Sequence, residues 1–433
     1  MFDILSFIDK KRTAGDHKRG ELKAFVEAYH NQDIADCQVS SWLMATCING
    51  LSDDNLLEFT KALCESGKTA SFPFEAVDKH STGGVGDKLT LLIVPIAASC
   101  GAKVAKLSGR GLGFTGGTVD KLEAIPGFNT SLSASSFVAQ VEKIGCAISG
   151  HSSELAPAEA KFYALRDITS TLSSVPLIAS SIVSKKVAGG AHSIVYDVKC
   201  GDGAFMQTFE SAKILAEKLV SLSKAMGLRS IAVISDMSQP LGVNVGNSLE
   251  VIEAVETLSG RGPSDVRELT VYCAGAMIYL SGNAPDLNTG VSAARESIDK
   301  GAAIGKFQEL ITEQGGVSDL CTSPLEYLKV APLRRVIESK KNGYIALINT
   351  RSIGECVKRL GGGRIQKGDP VDIEVGVRVL KRKGEKVSKG EPLMEIYAND
   401  DEKVMEAESY FDAFSVEEMK DDHIPNLIIE VIQ

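Results

Sequence analysis

The chain has 433 residues, 44% of them apolar, and a formal net charge of −9 from 47 basic and 56 acidic side chains. That length predicts two or three domains of about 100–200 residues each, and the acidic balance argues against a nucleic-acid binder, whose affinity rests on a basic face. Nine cysteines, spread from Cys37 to Cys356 with no CxxC pair, argue against a disulfide framework or a zinc site and point to a reducing compartment. At the N-terminus, Met-Phe-Asp-Ile-Leu-Ser-Phe-Ile-Asp-Lys-Lys-Arg puts acids inside its apolar part and bases after it, the wrong order for a secretory signal. The longest apolar run, Leu89 to Cys100, is broken by Pro95 and is well short of the ~20 residues a membrane span needs. The expected location is the cytoplasm.

Residues 1–68 read as a helical domain, with Phe25, Tyr29 and then Trp42, Leu43 and Met44 at helical spacing, and Leu51-Ser-Asp-Asp-Asn as a capped start for a further helix. From about residue 69 to 330 strands and helices alternate. A helix over Ser133–Ile144 sets Phe137, Val141 and Ile144 on one face, ends at Gly145 and feeds a strand Cys146–Ser149. A helix from Ser211 aligns Leu215, Leu219, Leu222 and Met226, stops at Gly227 and leads into Ser230–Ile234. Such helix–glycine–strand units predict an α/β sheet domain with crossover helices. Pro157 to Lys186 reads as helical and unusually polar for a crossover. The last hundred residues are β-rich, with strands expected at Gly343–Ile348, Val371–Leu380 and Pro392–Tyr397, and form an α+β domain at 335–433. Their turns are similar to those of biotinyl and lipoyl carriers, but no Met-Lys-Met or Asp-Lys-Ala tripeptide is present, so a structural role is expected.

Chemistry concentrates in two loops. Lys106-Leu-Ser-Gly-Arg110-Gly-Leu-Gly-Phe-Thr115-Gly-Gly-Thr118 follows a short apolar segment, and Asp78-Lys-His80-Ser-Thr-Gly-Gly-Val-Gly86-Asp-Lys88 lies just upstream. Glycine tolerates backbone angles that let successive amides turn toward an anion, and hydroxyls and lysines complete such a shell. Two loops of this kind suggest a phosphate held from two sides. His80, flanked by lysine and serine, lies at the mouth of the first. Ser181 and Lys185, four apart, project from one helix face toward one point, as an exposed surface pair would too. Arg166 pairs by default with Asp167 or Glu159.

These two loops resemble the signatures of the thymidine and pyrimidine-nucleoside phosphorylases. The likeness continues through Tyr163-Ala-Leu-Arg166-Asp, Ala179-Ser-Ser181-Ile-Val-Ser-Lys185-Lys, Asp197-Val-Lys-Cys-Gly-Asp-Gly-Ala-Phe205-Met and Ile234-Ser-Asp-Met-Ser-Gln-Pro-Leu-Gly242, in order and over essentially the whole chain. The resemblance implies a helical N-terminal domain joined by segment 157–190, a large α/β sheet domain and a cleft between them. It implies a homodimer built through the helical domain and a pentosyltransferase that phosphorolyses uridine, thymidine and deoxyuridine. Phosphate would be held by Lys79, Ser81, Thr90, Lys106, Ser108 and Thr118. Arg166, Ser181 and Lys185 would hold the base, with Leu112 and Phe205 as apolar pocket positions and His80 as a candidate to relay a proton to O2. No organic cofactor is implied. Some bacterial relatives hold a monovalent cation, taken as potassium, whose matching positions are Gly86, Lys88, Leu241, Asn244 and Glu253. Many relatives carry histidine where this chain has Phe114, a position expected to assist closure over substrate. The alternatives are a thymidine-restricted phosphorylase, the magnesium-dependent anthranilate phosphoribosyltransferase and, from another class, a carrier or binding module.

Overall fold

The computed structural model describes residues 2–111, 113–150, 154–366, 368–420 and 424–433. Four helices open the chain, α1 (Ile4–Arg12), α2 (Glu21–His30), α3 (Asp36–Asn49) and α4 (Asp53–Glu65). Their apolar stripes meet in a buried aromatic cluster, with Phe25–Trp42 ring centroids 4.8 Å apart and Trp42–Phe59 5.2 Å apart. Trp42 and Leu43 are buried but Met44 is exposed. Three consecutive helical positions cannot all face one core. Ser52 precedes α4 as expected, though its side chain makes no capping hydrogen bond.

The central domain then runs through β1 (Ala76–Ser81), α5 (Leu89–Ser99), β2 (Lys103–Ser108), α6 (Thr118–Glu123), α7 (Ala134–Ile144), β3 (Cys146–Gly150), α8 (Pro157–Ile168), α9 (Val175–Ala188), β4 (Ser193–Cys200), α10 (Phe209–Ala225) and β5 (Arg229–Asp236). It continues with β6 (Asn244–Val245), α11 (Asn247–Leu258), α12 (Ser264–Leu280), α13 (Leu287–Asp299), α14 (Ala302–Glu313) and α15 (Pro324–Tyr327). The expected punctuation of α7 is present: the Ser133 hydroxyl accepts from the Ser136 N–H, and Gly145 ends the helix in the left-handed region. The apolar run after Lys88 is the buried helix α5, covered by α12 and α14, so it is apolar all round. Among the described residues no helix is long and apolar enough to cross a membrane.

Strands β1 to β5 are parallel, in the order β5-β4-β1-β2-β3. The chain leaves β1 toward β2 and β3, then returns on its other side to β4 and β5. The order therefore reverses at β1, and ligands of open α/β sheets bind beyond the carboxyl ends of the strands at such a point. The first glycine-rich loop leaves the sheet at that strand, and the second leaves from its neighbour β2. Helices α8 and α9 turn back to the N-terminal helices, where Ala158, Phe162, Leu165 and Leu177 join the core of Phe7, Phe25 and Trp42.

The C-terminal part comprises β7 (Leu333–Glu338), β8 (Gly343–Ile348), α16 (Thr350–Val357), β9 (Gly376–Val379), β10 (Lys386–Val387), β11 (Pro392–Ala398), α17 (Asp401–Ala407), β12 (Phe414–Glu417) and β13 (Ile428–Ile432). Two small sheets form, β6-β9-β11-β7 and β10-β8-β12. The expected limits 69–330 and 335–433 are crossed twice: β6 joins the C-terminal sheet, and β13 returns to pair antiparallel with β5. That return covers a sheet edge that would otherwise present unpaired amides and carbonyls.

One titratable group lies inside the helical core. His17 Nε2 accepts a hydrogen bond from the Trp42 indole N–H at 3.0 Å, and its ring stacks on Phe7 at 3.8 Å. Burial pushes its pKa down to about 4, against the opposing pull of Glu21. The unfolded chain binds a proton that the folded chain refuses, so stability is full above about pH 6.5 and falls as pH drops toward about 4. Thermal melts between those limits should show this loss, and His17→Gln should flatten the slope; an equal slope in both proteins would remove His17 as its cause.

Candidate active site

The site elements come from the strands and the loops after them, the first turns of α5 and α6, and the helix pair α8–α9. Lys79 on β1 is fully buried, and its ammonium lies 3.6 Å from Asp197 on β4 and 4.0 Å from Asp87. It has no hydrogen-bond acceptor. The Ser108 hydroxyl at the end of the neighbouring strand β2 is buried and equally without a partner. Buried donors are nearly always satisfied, so these two orphans on adjacent strands are donors that an acceptor-rich ligand could satisfy. Around them, Lys121 donates to the Asp87 carbonyl at 2.6 Å and pairs with Glu250 at 2.8 Å, and Lys199 pairs with Asp197 at 2.8 Å. Burial opposes ionisation of Asp87, but Lys79, Lys199 and Lys121 outweigh it and hold that carboxyl below the usual range.

The other expected phosphate residues divide. Ser81 ends β1 and accepts from the Gly83 N–H at 3.2 Å, Thr90 is buried in the first turn of α5, and Thr118 is the first residue of α6. Thus one glycine loop runs into a helix N-terminus of α5, where amides and dipole favour an anion. Gly117 permits the second loop to fold on itself, since a Cβ there would lie 2.0 Å from the Gly111 nitrogen. Lys106 is engaged within the protein. Its ammonium donates to the Leu107 carbonyl at 2.8 Å and lies 3.6 Å from Asp78, to which Lys186 also bonds at 2.7 Å. Burial, with Lys186 and Lys79 nearby, pushes Lys106 well below the ordinary lysine range against the opposing pull of Asp78. Sequence reading missed Asp78 and Lys186 as partners. The signal was present: an Asp-Lys pair within a buried strand, and a Lys185-Lys186 doublet of which only the first was used.

The expected base residues come together on α8 and α9. Ser181 donates to the Glu159 carboxylate, and Lys185 reaches the same oxygen at 3.1 Å and the Ser181 hydroxyl at 3.0 Å. The four-residue spacing does bring both side chains to one point. The Lys185 ammonium also lies 5.0 Å from the Tyr163 ring centroid. Arg166 is not paired with Asp167 or Glu159; its guanidinium donates to the carbonyls of Thr171, Leu172 and Leu177 at 3.3, 3.0 and 3.0 Å. Glu159 is already taken by Ser181 and Lys185, and the buried α8–α9 turn needs donors for its free carbonyls. Three of the five guanidinium N–H groups are thereby used and two remain. His80 is half-buried at the end of β1. Burial first, then Lys186, Lys106, Lys185 and Lys79, hold its imidazole neutral well below the usual histidine range. It therefore lies within electrostatic reach of both Lys79 and Lys106 of the strands and Lys185 and Lys186 of α9.

Leu112 lies outside the described residues. Phe205, in the loop after β4, is exposed and stands 5.8 Å from the Phe114 ring. Phe114 itself is buried in the C-terminal core with Ile345 and Ile353, with the Arg351 guanidinium 4.9 Å over its ring. Arg364 of the C-terminal part reaches Asp120 of α6 at 2.8 Å. The signature loop is thus held by the C-terminal domain.

The expected cation positions also converge. Gly86 is left-handed, and a Cβ there would lie 2.6 Å from the Leu241 carbonyl. The Lys88 ammonium donates to the carbonyls of Leu241 at 2.8 Å and Asn244 at 3.0 Å and to the Glu253 carboxylate. A separate potassium ion does not fit this arrangement, because the ammonium already takes the oxygens it would need. Among the described residues no group of three or more histidine, cysteine or acidic side chains is placed to hold a metal.

Comparison with known proteins follows the same three-part layout. Residues 5–67 match a glycosyl transferase family helical bundle domain, 74–304 its a/b domain, and 344–415 a pyrimidine nucleoside phosphorylase C-terminal domain. The chain is 43% identical over 399 residues, 92% of each protein, to a pyrimidine-nucleoside phosphorylase of Staphylococcus aureus. It belongs to the pyrimidine-nucleoside phosphorylase family. Identity to the pyrimidine-nucleoside phosphorylase of Geobacillus stearothermophilus is 42%, again over 92% of each chain. A solved anthranilate phosphoribosyltransferase of Thermus thermophilus shares the fold, with a TM-score of 0.57 and 18% identity over 71% of this chain and 98% of that one. The match to the phosphorylase C-terminal domain separates the two families.

Because Phe114 fills the C-terminal core of this family member, Phe114→Ala should cost about 3–5 kcal/mol, read as a lowered melting temperature. An unchanged melt would show that the loop is not anchored through this ring.

Proposed function

We propose that the protein catalyses the reversible phosphorolysis of uridine, thymidine and deoxyuridine to the free base and (2-deoxy-)α-D-ribose 1-phosphate. The observation that carries this reading is the Lys79 ammonium, a buried cation with no hydrogen-bond acceptor, set at the switch point of the sheet beside a strand ending in the unpartnered Ser108. Phosphate brings the missing acceptors. Membership of the family supplies the substrate class.

The chemistry follows from the two sides of His80. Phosphate, oriented by Lys79, Ser108 and the amides of the glycine loops, attacks the anomeric carbon, and the bond to the pyrimidine nitrogen breaks with inversion. The departing electron pair spreads onto the base carbonyls. In this reading Lys185 and the two unused N–H groups of Arg166 stabilise that developing charge, while Ser181, whose hydroxyl hydrogen is on Glu159, offers its oxygen to the base N–H; groups aimed at charge present only in the transition state lower the barrier most. Neutral His80 can donate a hydrogen bond toward O2. The partly exposed Phe205 offers an apolar wall. No step needs an organic cofactor.

A homodimer through the helical domain is supported by exposed Leu5, Met44 and Ile48 on α1 and α3, apolar side chains that a partner would cover. All nine cysteines are unpaired, which supports a cytoplasmic setting.

The direct test is base release from uridine, thymidine, deoxyuridine and cytidine in parallel, with and without phosphate. Release of uracil and thymine only with phosphate is expected; thymine release alone would establish the thymidine-restricted enzyme, and a magnesium requirement would favour the phosphoribosyltransferase chemistry. Lys79→Met should lower kcat/KM for phosphate by roughly 10²-fold, about 3 kcal/mol. Lys106→Met should do less, because that ammonium is already engaged by Leu107 and Asp78. The reverse ranking would place the anion on Lys106. Arg166→Ala and Lys185→Ala should each depress kcat, with less than additive losses in the double variant if both act on one base; full additivity would separate them.

A further inference from the structure

Lys88 sits where the first glycine loop enters α5, completely buried, and its three N–H donors meet three oxygens: the Leu241 and Asn244 carbonyls and the Glu253 carboxylate. The other Glu253 oxygen accepts the N–H groups of Val243 at 3.0 Å and Asn244 at 3.1 Å. One ammonium and one carboxylate therefore pin residues 241–244 in place. That segment is a joint. The Leu241 N–H donates to the Val85 carbonyl of the glycine loop at 3.1 Å, and Gly86 has room for no side chain against Leu241. From the other side, Arg382 of the C-terminal domain donates to the carbonyls of Pro240 at 2.8 Å and Gly242 at 2.7 Å, and β6 pairs with β9. Phosphate loop, α11 and C-terminal domain thus meet at this segment, held by Lys88 from one side and Arg382 from the other.

Two carbonyls and a carboxylate are also the hard oxygen donors that an alkali cation selects. We propose that the Lys88 ammonium is a covalently attached monovalent cation, which sets the first glycine loop without potassium and makes the enzyme independent of alkali ions. A tethered charge cannot be diluted away, whereas a bound ion would leave the carbonyls of Leu241 and Asn244 unpaired at low salt. The ammonium saturates its own donors, and each of its three acceptors comes from the 241–253 stretch.

The proposal rests on the phosphorolysis reading for its kinetic test but not for its stability test, so the two can fail separately. In tetramethylammonium buffer free of alkali ions and ammonium, the wild-type protein should melt at the same temperature, and turn over uridine within about twofold, as in equimolar potassium. Lys88→Ser, which opens the cage while keeping its oxygens, should melt lower and lose at least about tenfold in kcat/KM in that buffer. Potassium or ammonium should restore both in a saturable manner. A wild-type melt or rate that depends on potassium would overturn the proposal, as would a Lys88→Ser protein indifferent to all these ions. Should Lys88→Ser not fold in any salt, the wild-type melt alone decides: no response to potassium supports the tethered cation, and a saturable rise refutes it. Absence of phosphorolysis in every buffer would refute the activity and leave the melts to judge Lys88.

Discussion

Several lysines are kept dry and close together at the carboxyl ends of β1, β2 and β4, and much of the architecture follows from holding them there. Lys79, Lys106, Lys121, Lys186 and Lys199 are all buried. Ammonium groups out of water are costly unless paired and bonded, and here Asp78, Asp87, Asp197 and Glu250 supply the pairs. The pairing is incomplete at the point where the strand order reverses. Lys79 carries the clearest sign of it, with ion-pair partners at 3.6 and 4.0 Å and no hydrogen-bond acceptor. An anion entering this crevice completes an incomplete charge network, in a low-dielectric place where its interaction is strong.

Three bodies hold that network from different sides. The sheet supplies strand ends and two glycine loops. The α8–α9 pair belongs by packing to the N-terminal helices, through Phe162 and Leu177, yet it carries Ser181, Lys185 and Glu159. Movement of the helical domain would therefore carry the proposed base side of the site toward or away from the proposed phosphate side. The C-terminal domain braces the loops from behind, through Phe114 in its core, Arg364 on Asp120 and Arg382 on the 240–242 carbonyls. The turns around Arg364 and Arg382, of the kind seen in carriers, make these contacts.

Much of this was legible in the sequence where the physics is local. The limits of α7 followed from Ser133 and Gly145, and the meeting of Ser181 with Lys185 from helical spacing. What escaped was non-local. A lysine in a glycine-rich loop does not announce which oxygen it will reach: Lys106, expected on phosphate, bonds the Leu107 carbonyl and lies beside Asp78, and Lys88, expected among the cation positions, sets its ammonium on the Leu241 and Asn244 carbonyls. Arg166 found carbonyls across the α8–α9 turn rather than the acids next to it in sequence. The return of β13 to β5 joins segments about two hundred residues apart, a pairing that edge protection explains only after the sheet is known.

The claim that phosphate completes the charge network at the switch point is tested most directly by a crystal structure of the protein with phosphate and uracil. Phosphate within hydrogen-bonding distance of Lys79 Nζ and Ser108 Oγ, with uracil against Ser181, Lys185 and His80, is the expected result. Phosphate bound elsewhere, with Lys79 still without an acceptor, would contradict it.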